Sequence, residues 1–174
     1  MDSIQDLKKY VREIDNFPIP GILFRDITTV LKDSVAMRYA VDSMVEYARG
    51  LDFDFVLGPE SRGFIFGMPL AYNLSKGFVP VRKEGKLPGD VAAKEYVLEY
   101  GTATIEIHRD AIIPGKKYVI VDDLLATGGT AKAVCDLVQE LGGEIVAHIY
   151  FIELEELNGR ALLAEYDVRS VLKY

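Results

Sequence analysis

The stretch Val119-Ile120-Val121-Asp122-Asp123-Leu124-Leu125-Ala126-Thr127-Gly128-Gly129-Thr130 restricts the fold more than any other part of the chain. A β-branched run from Lys117 to Val121 reads as a strand, and Asp122 to Gly129 reads as a polar turn. From Thr130 to Leu141, apolar residues then recur at helical spacing (Ala131, Val134, Cys135, Val138, Leu141) until Gly142-Gly143 stops them, and Ile145 to Ile152 forms the next strand. The same order occurs upstream: a strand over Phe53 to Leu57, a loop from Gly58 to Gly63, a helix over 64–75 closed by Gly77, and a strand from Phe78 to Val81. Strand, glycine loop, helix and strand, used twice, predict an α/β fold whose mostly parallel, twisted sheet is flanked by helices.

The rest of the chain is scaffold with one exception. Residues 3–14 place Ile4, Leu7, Val11 and Ile14 on one stripe and are read as an amphipathic helix, after which Pro18, Pro20 and Gly21 impose extended chain. A second helix is expected from Ser34 to Arg49, with Met37, Ala40, Val41, Met44, Val45 and Ala48 inward. The exception is Arg82 to Arg109, which mixes Gly85, Pro88 and Gly89 with Lys and Glu before the alternation Thr104-Ile105-Glu106-Ile107-His108; it is read as a flexible hairpin lid projecting from the sheet. With 174 residues and no low-complexity linker, the chain is expected to be one domain, 1–174.

Composition narrows the possible partners. The 20 Lys and Arg against 27 Asp and Glu, net charge −7, exclude a general grip on nucleic acid, which needs a basic face to neutralise phosphates. No apolar run approaches the ~20 residues of a membrane span, so no membrane role is expected. A single cysteine and an opening segment without basic-then-apolar order lead us to expect a reducing, cytoplasmic setting. His108, His148 and Cys135 have no metal-ligand spacing and are assigned no chemistry.

The turn itself suggests a ligand. Glycines let backbone N–H groups approach an anion, and the amino end of the following helix adds about half a positive charge, so Ala126, Thr127, Gly128, Gly129 and Thr130 suit a phosphate. Asp122 and Asp123 would repel that phosphate unless they face sugar hydroxyls or a metal, and the combination points to a phosphorylated ribose. Gly58 and Gly63 have the outer spacing of an ATP-binding P-loop, but Phe64-Ile65 replaces its Lys-Ser/Thr.

Val119 to Thr130 resembles the 5-phosphoribosyl-1-pyrophosphate (PRPP) motif of the type I phosphoribosyltransferases. Phe17-Pro18-Ile19-Pro20-Gly21-Ile22-Leu23-Phe24-Arg25-Asp26, Glu60-Ser61-Arg62-Gly63-Phe64, Pro80-Val81-Arg82-Lys83 and Leu98-Glu99-Tyr100-Gly101 narrow the resemblance to the adenine-specific family, from Phe17 to the chain end. The resemblance implies that family's fold, with a small hood, and its purine-salvage reaction, in which adenine and PRPP give AMP and pyrophosphate. It implies Mg²⁺ carried by PRPP or pyrophosphate with no direct protein ligand, and a homodimer. It places the ribose hydroxyls on Asp122 and Asp123, the 5'-phosphate on Ala126 to Thr130, and pyrophosphate near Glu60, Ser61, Arg62, Arg82, Lys83 and Lys86, with a cis peptide at Glu60-Ser61. Adenine would lie between Phe24 and Leu154, with Leu23 and Arg25 offering backbone contacts, and Glu99 would handle its proton. The alternatives are a phosphoribosyltransferase for xanthine, hypoxanthine or orotate, or a protein that only senses PRPP.

Overall fold

The computed structural model describes residues 4–97 and 101–174. In chain order the elements are α1 (Ile4–Lys8), β1 (Arg12–Asp15), β2 (Leu23–Asp26), α2 (Thr28–Lys32), α3 (Ser34–Ala48), β3 (Phe55–Pro59), α4 (Arg62–Asn73), β4 (Gly77–Lys83), β5 (Val91–Val97), β6 (Thr102–His108), β7 (Lys117–Leu125), α5 (Gly129–Glu140), β8 (Glu144–Glu153) and β9 (Asp167–Lys173). A seven-stranded sheet runs β5-β6-β4-β3-β7-β8-β9. β4, β3, β7, β8 and β9 pair in parallel, and the β5–β6 hairpin adds an antiparallel edge through β6 and β4.

Helices cover both faces. On one face α3 and α4 bury Ala40, Met44, Phe66 and Leu70 against Val119, Val121, Ile149 and Phe151; on the other α5 buries Val134, Cys135 and Val138 against Ile120 and Tyr150. β7 and β8 are covered on both sides, which is why they read as unbroken apolar runs. α3 begins where Asp33 caps it, its carboxylate accepting hydrogen bonds from the amides of Val35 at 3.0 Å and Ala36 at 2.9 Å. Ala36 takes the buried place expected for Met37, which is exposed, a rotation of one position in the stripe. Among the described residues no helix is long and apolar enough to cross a membrane.

Three expectations need correction. The helix over 3–14 stops at Lys8, because Arg12–Asp15 pairs antiparallel with Leu23–Asp26 as a separate two-stranded sheet, and the Arg12 guanidinium bonds Asp26 across it. The Asp122–Gly129 turn is shorter than expected: β7 continues through Leu125, since β8 pairs with it as far as Glu153, so both aspartates sit in a strand. The hairpin within 82–109 is not wholly a projection, because Ala92, Ile105 and Ile107 are buried in the core and β6 pairs with β4 at Arg82 and Lys83.

Candidate active site

The carboxyl end of β7 lies at the centre of the sheet, where β3 and β8 flank it and the loops after β3 and β7 meet. There a cavity of about 560 Å³ is lined by Glu60, Ser61, Arg62, Arg82 and Lys83 on one side and by Asp122, Asp123 and Ala126 to Thr130 on the other. Successive strand residues start toward opposite faces, yet the two carboxylates stay close enough to interact with each other and with Arg62. Asp123, only 4 % exposed, turns to the α4 side, where Arg62 Nε lies 3.0 Å from its Oδ2. Asp122 Oδ1 accepts the amide of Asp123 at 2.8 Å. Burial raises both carboxyls above their ordinary range; the charge of Asp123 pushes Asp122 further, while Arg62 offsets part of the effect on Asp123.

Beyond Leu125 the chain reverses at Ala126–Gly128. Gly128 has φ +85°, a left-handed conformation that glycine adopts without a steric penalty, and α5 starts directly after it. The first helical amides of α5 therefore face the cavity with no intrahelical acceptor, as an anion site requires. The Thr130 hydroxyl donates to Tyr96 Oη at 3.2 Å, which ties β5 to this turn.

Across the cavity, the Glu60–Ser61 peptide is cis, as the sequence led us to expect. Glu60 acts on its neighbours: Oε2 accepts from Arg82 Nε at 2.8 Å and from the Lys83 amide at 3.1 Å, and the Arg82 bond leads in holding its carboxyl below the usual range. Lys86 does not line the cavity; its carbonyl accepts from Arg82 Nη1 at 3.4 Å and its side chain is exposed.

Leu23, Phe24, Arg25 and Leu154 also lie outside that cavity. Phe24 stands edge-on to Phe17 with centroids 5.0 Å apart, and the Arg62 guanidinium sits 5.6 Å from its ring centroid. Arg62 thus touches both the carboxylate end of β7 and the Phe24 platform. Arg25 pairs with Glu13 and lies 4.1 Å over the ring of Tyr174. Leu154 follows β8, half-buried against the core, with its amide bonded to the Leu125 carbonyl at 2.9 Å. Glu99 and Tyr100 lie outside the described residues. Tyr96 and Tyr150 line the cavity and were not singled out from sequence; Tyr96 has a signal in the period of two that buries Ala92, whereas Tyr150 is hidden inside an unbroken apolar run. Among the described residues no group of three or more His, Cys, Asp or Glu side chains could hold a metal ion.

The phosphoribosyl transferase domain model matches residues 34–172. The chain is 56 % identical over 98 % of both lengths to adenine phosphoribosyltransferase of Lachnoclostridium phytofermentans. It superposes with TM-score 0.96 and 50 % identity on the crystal structure of adenine phosphoribosyltransferase from Thermoanaerobacter pseudethanolicus, covering 99 % of this chain and 100 % of that one. The Saccharomyces cerevisiae enzyme, solved with an imino-altritol bisphosphate and adenine, matches with TM-score 0.89 and 38 % identity over 97 % of each chain.

Proposed function

Because the chain belongs to the phosphoribosyl transferase family, within it to the adenine phosphoribosyltransferases, we propose a division of labour among its residues for the reaction adenine + PRPP → AMP + pyrophosphate. We read residues 1–174 as a single domain for this reaction. The observation that carries the assignment is the end of β7, where Asp122 and Asp123 run within one turn into the amides of Gly128 to Thr130, opposite Arg62 and Arg82. The 5'-phosphate takes the amides and hydroxyls of Ala126 to Thr130. Asp122 and Asp123 hold the ribose hydroxyls, and the negative charge they carry when ionised favours the positive charge that develops at the anomeric carbon.

In the reaction a ring nitrogen of adenine bonds to the anomeric carbon, the carbon–oxygen bond to pyrophosphate breaks, and that oxygen keeps the electron pair. Arg62, Arg82, Lys83 and Lys86 receive the growing charge on pyrophosphate, with Ser61 beside them. Glu60 orients Arg82, and support for that role is its pair of hydrogen bonds to Arg82 and the Lys83 amide. Mg²⁺ carried by PRPP would screen its phosphate charge, with Glu60, Asp122 and Asp123 the carboxylates that line the cavity around it. Adenine lies between Phe24 and Leu154, with Leu23 and Arg25 at its edge, and Glu99 takes the proton that adenine loses. Residues 82–109 act as the lid of the site, a reading supported by the contact of Tyr96 on β5 with Thr130 of the phosphate turn.

We further infer a cytoplasmic setting and a homodimer, the latter supported by Ile65, Met68 and Tyr72, which project as exposed apolar groups at α4 positions three and four apart. The test of function supplies Mg-PRPP with adenine, hypoxanthine, xanthine or orotate in turn. AMP from adenine, with at most a trace of product from the others, is expected. A preference for an oxopurine, or PRPP binding without turnover, would overturn the reading.

A further inference from the structure

The segment between β8 and β9 touches both ends of the proposed site. It opens at Leu154, which we read as one face of the base slot, and at Gly159 it reaches the back of the turn Ala126–Gly128. There the contact is backbone on backbone: a Cβ on Gly159 would lie 2.2 Å from the Ala126 carbonyl oxygen and 3.1 Å from the Gly128 nitrogen, and a Cβ on Gly128 would lie 2.6 Å from the Gly159 oxygen. Neither residue can carry a side chain unless the other moves.

The two ends of this segment are joined. Glu153, the last residue of β8 and 4 % exposed, accepts from Arg160 Nε at 2.5 Å and Nη2 at 2.8 Å, and from the Ser170 hydroxyl at 2.6 Å. Arg160 Nη1 donates to the Val168 carbonyl at 2.8 Å, so the fork is also fixed to β9. Burial pushes the Glu153 carboxyl up, but the bonds from Arg160 and Ser170 outweigh it and the group stays below the ordinary glutamate range. A bidentate pair of this kind fixes geometry in a way that a lysine point charge does not.

We propose that Glu153 and Arg160 form a staple that presses Gly159 against Ala126–Gly128, making Arg160 and Gly159 positioning residues for the 5'-phosphate, and that the stapled segment sets the separation between the phosphate turn and the base slot at Leu154. The site is thereby matched to a ligand whose phosphate and base are one ribose apart, a nucleoside monophosphate or its precursors. The proposal rests on the reading of Ala126–Thr130 as the phosphate turn and of Leu154 as a face of the base slot.

The test measures steady-state kinetics in both substrates, AMP and inorganic phosphate binding by calorimetry, and circular dichroism, for Arg160→Lys and Gly159→Ala, with Thr127→Val and Thr130→Val as probes of the turn itself. Arg160→Lys keeps charge and most of the volume, so it serves if Gly159→Ala does not fold. The expected result for a folded variant is a KM for PRPP raised ~10-fold or more, with AMP and phosphate weakened in parallel and kcat at saturating PRPP within about threefold of the parent. A loss of melting temperature with unchanged KM, or a fall in kcat alone, would make the staple merely structural and overturn the proposal. If the threonine variants weaken phosphate while Arg160→Lys and Gly159→Ala do not, the staple fails and the turn stands. If none of the four weakens it, the phosphate-turn reading fails and the staple proposal with it.

Discussion

His148 makes acid stability a quantitative test of the buried side of the sheet. It is fully buried on β8, with Nε2 3.4 Å from Cys135 Sγ and Nδ1 3.2 Å from Tyr150 Oη, and the Tyr166 ring centroid lies 5.2 Å away. These neighbours are uncharged near neutral pH, since burial pushes the Cys135 thiol up to about 12 and raises both tyrosines. Burial in that setting lowers the imidazole to about 4. An unfolded histidine titrates near 6.5, so between these values the unfolded chain binds a proton that the folded chain refuses. The folded-state value is the depressed one; the stabilisation is therefore present above about 6.5 and is lost as pH falls toward 4. From pH 7 to pH 5 the loss is ~2 kcal/mol, and it approaches ~3 kcal/mol at pH 4. Urea unfolding followed by circular dichroism at pH 7, 6 and 5, on the parent, His148→Asn and His148→Phe, isolates the effect, because contributions from Asp122, Asp123 and Glu153 are common to all three proteins. Both variants should be weaker at pH 7 yet lose ~2 kcal/mol less than the parent on going to pH 5. Equal losses in the three proteins would refute the assignment of this pH dependence to His148.

Two further outcomes follow from named contacts. Glu60→Gln weakens the acceptor that holds Arg82 and the Lys83 amide, and should raise the KM for PRPP roughly tenfold in initial-rate assays while leaving the KM for adenine near the parent value. Asp33→Ala removes the cap of α3 far from the cavity, and should cost ~1 kcal/mol in urea unfolding with kcat and both KM values unchanged.

What could be read from the sequence follows from which interactions are local. The β7–turn–α5 unit is legible because three signals agree over a short span: a buried apolar run, glycine at a left-handed position, and a helical stripe. The β1 strand is not, because Leu7, Val11 and Ile14 do fall at helical spacing, and only pairing with Leu23–Asp26 across a bend containing two prolines turns Arg12–Asp15 into strand. The two aspartates look like a turn for the same reason: charge usually ends a strand, and the β8 ladder that carries β7 past them cannot be seen locally. α2 is too short, and β9 too amphipathic, to stand out from loop. Of the site, residues of the two glycine loops converge as expected, whereas the exposed Lys86 side chain and the engagement of Arg62 with Asp123 depend on distances that no motif encodes.

The pairing of the two arginines in the cavity, Arg62 with Asp123 and Arg82 with Glu60, bears on how fast a substrate arrives. PRPP is a polyanion approaching a chain of net charge −7, and of the cations lining the cavity Arg62 and Arg82 are already largely neutralised at a distance by their own carboxylates, which leaves Lys83 to set against the acidic surplus. Long-range attraction is therefore weak, and encounter proceeds against the mean field of the protein. Added salt shortens the reach of that repulsion from ~10 Å at 0.1 M to ~3 Å at 1 M. The on-rate of this enzyme should rise with ionic strength, the reverse of a steered association, so that the affinity for PRPP should come from short-range contacts made after encounter.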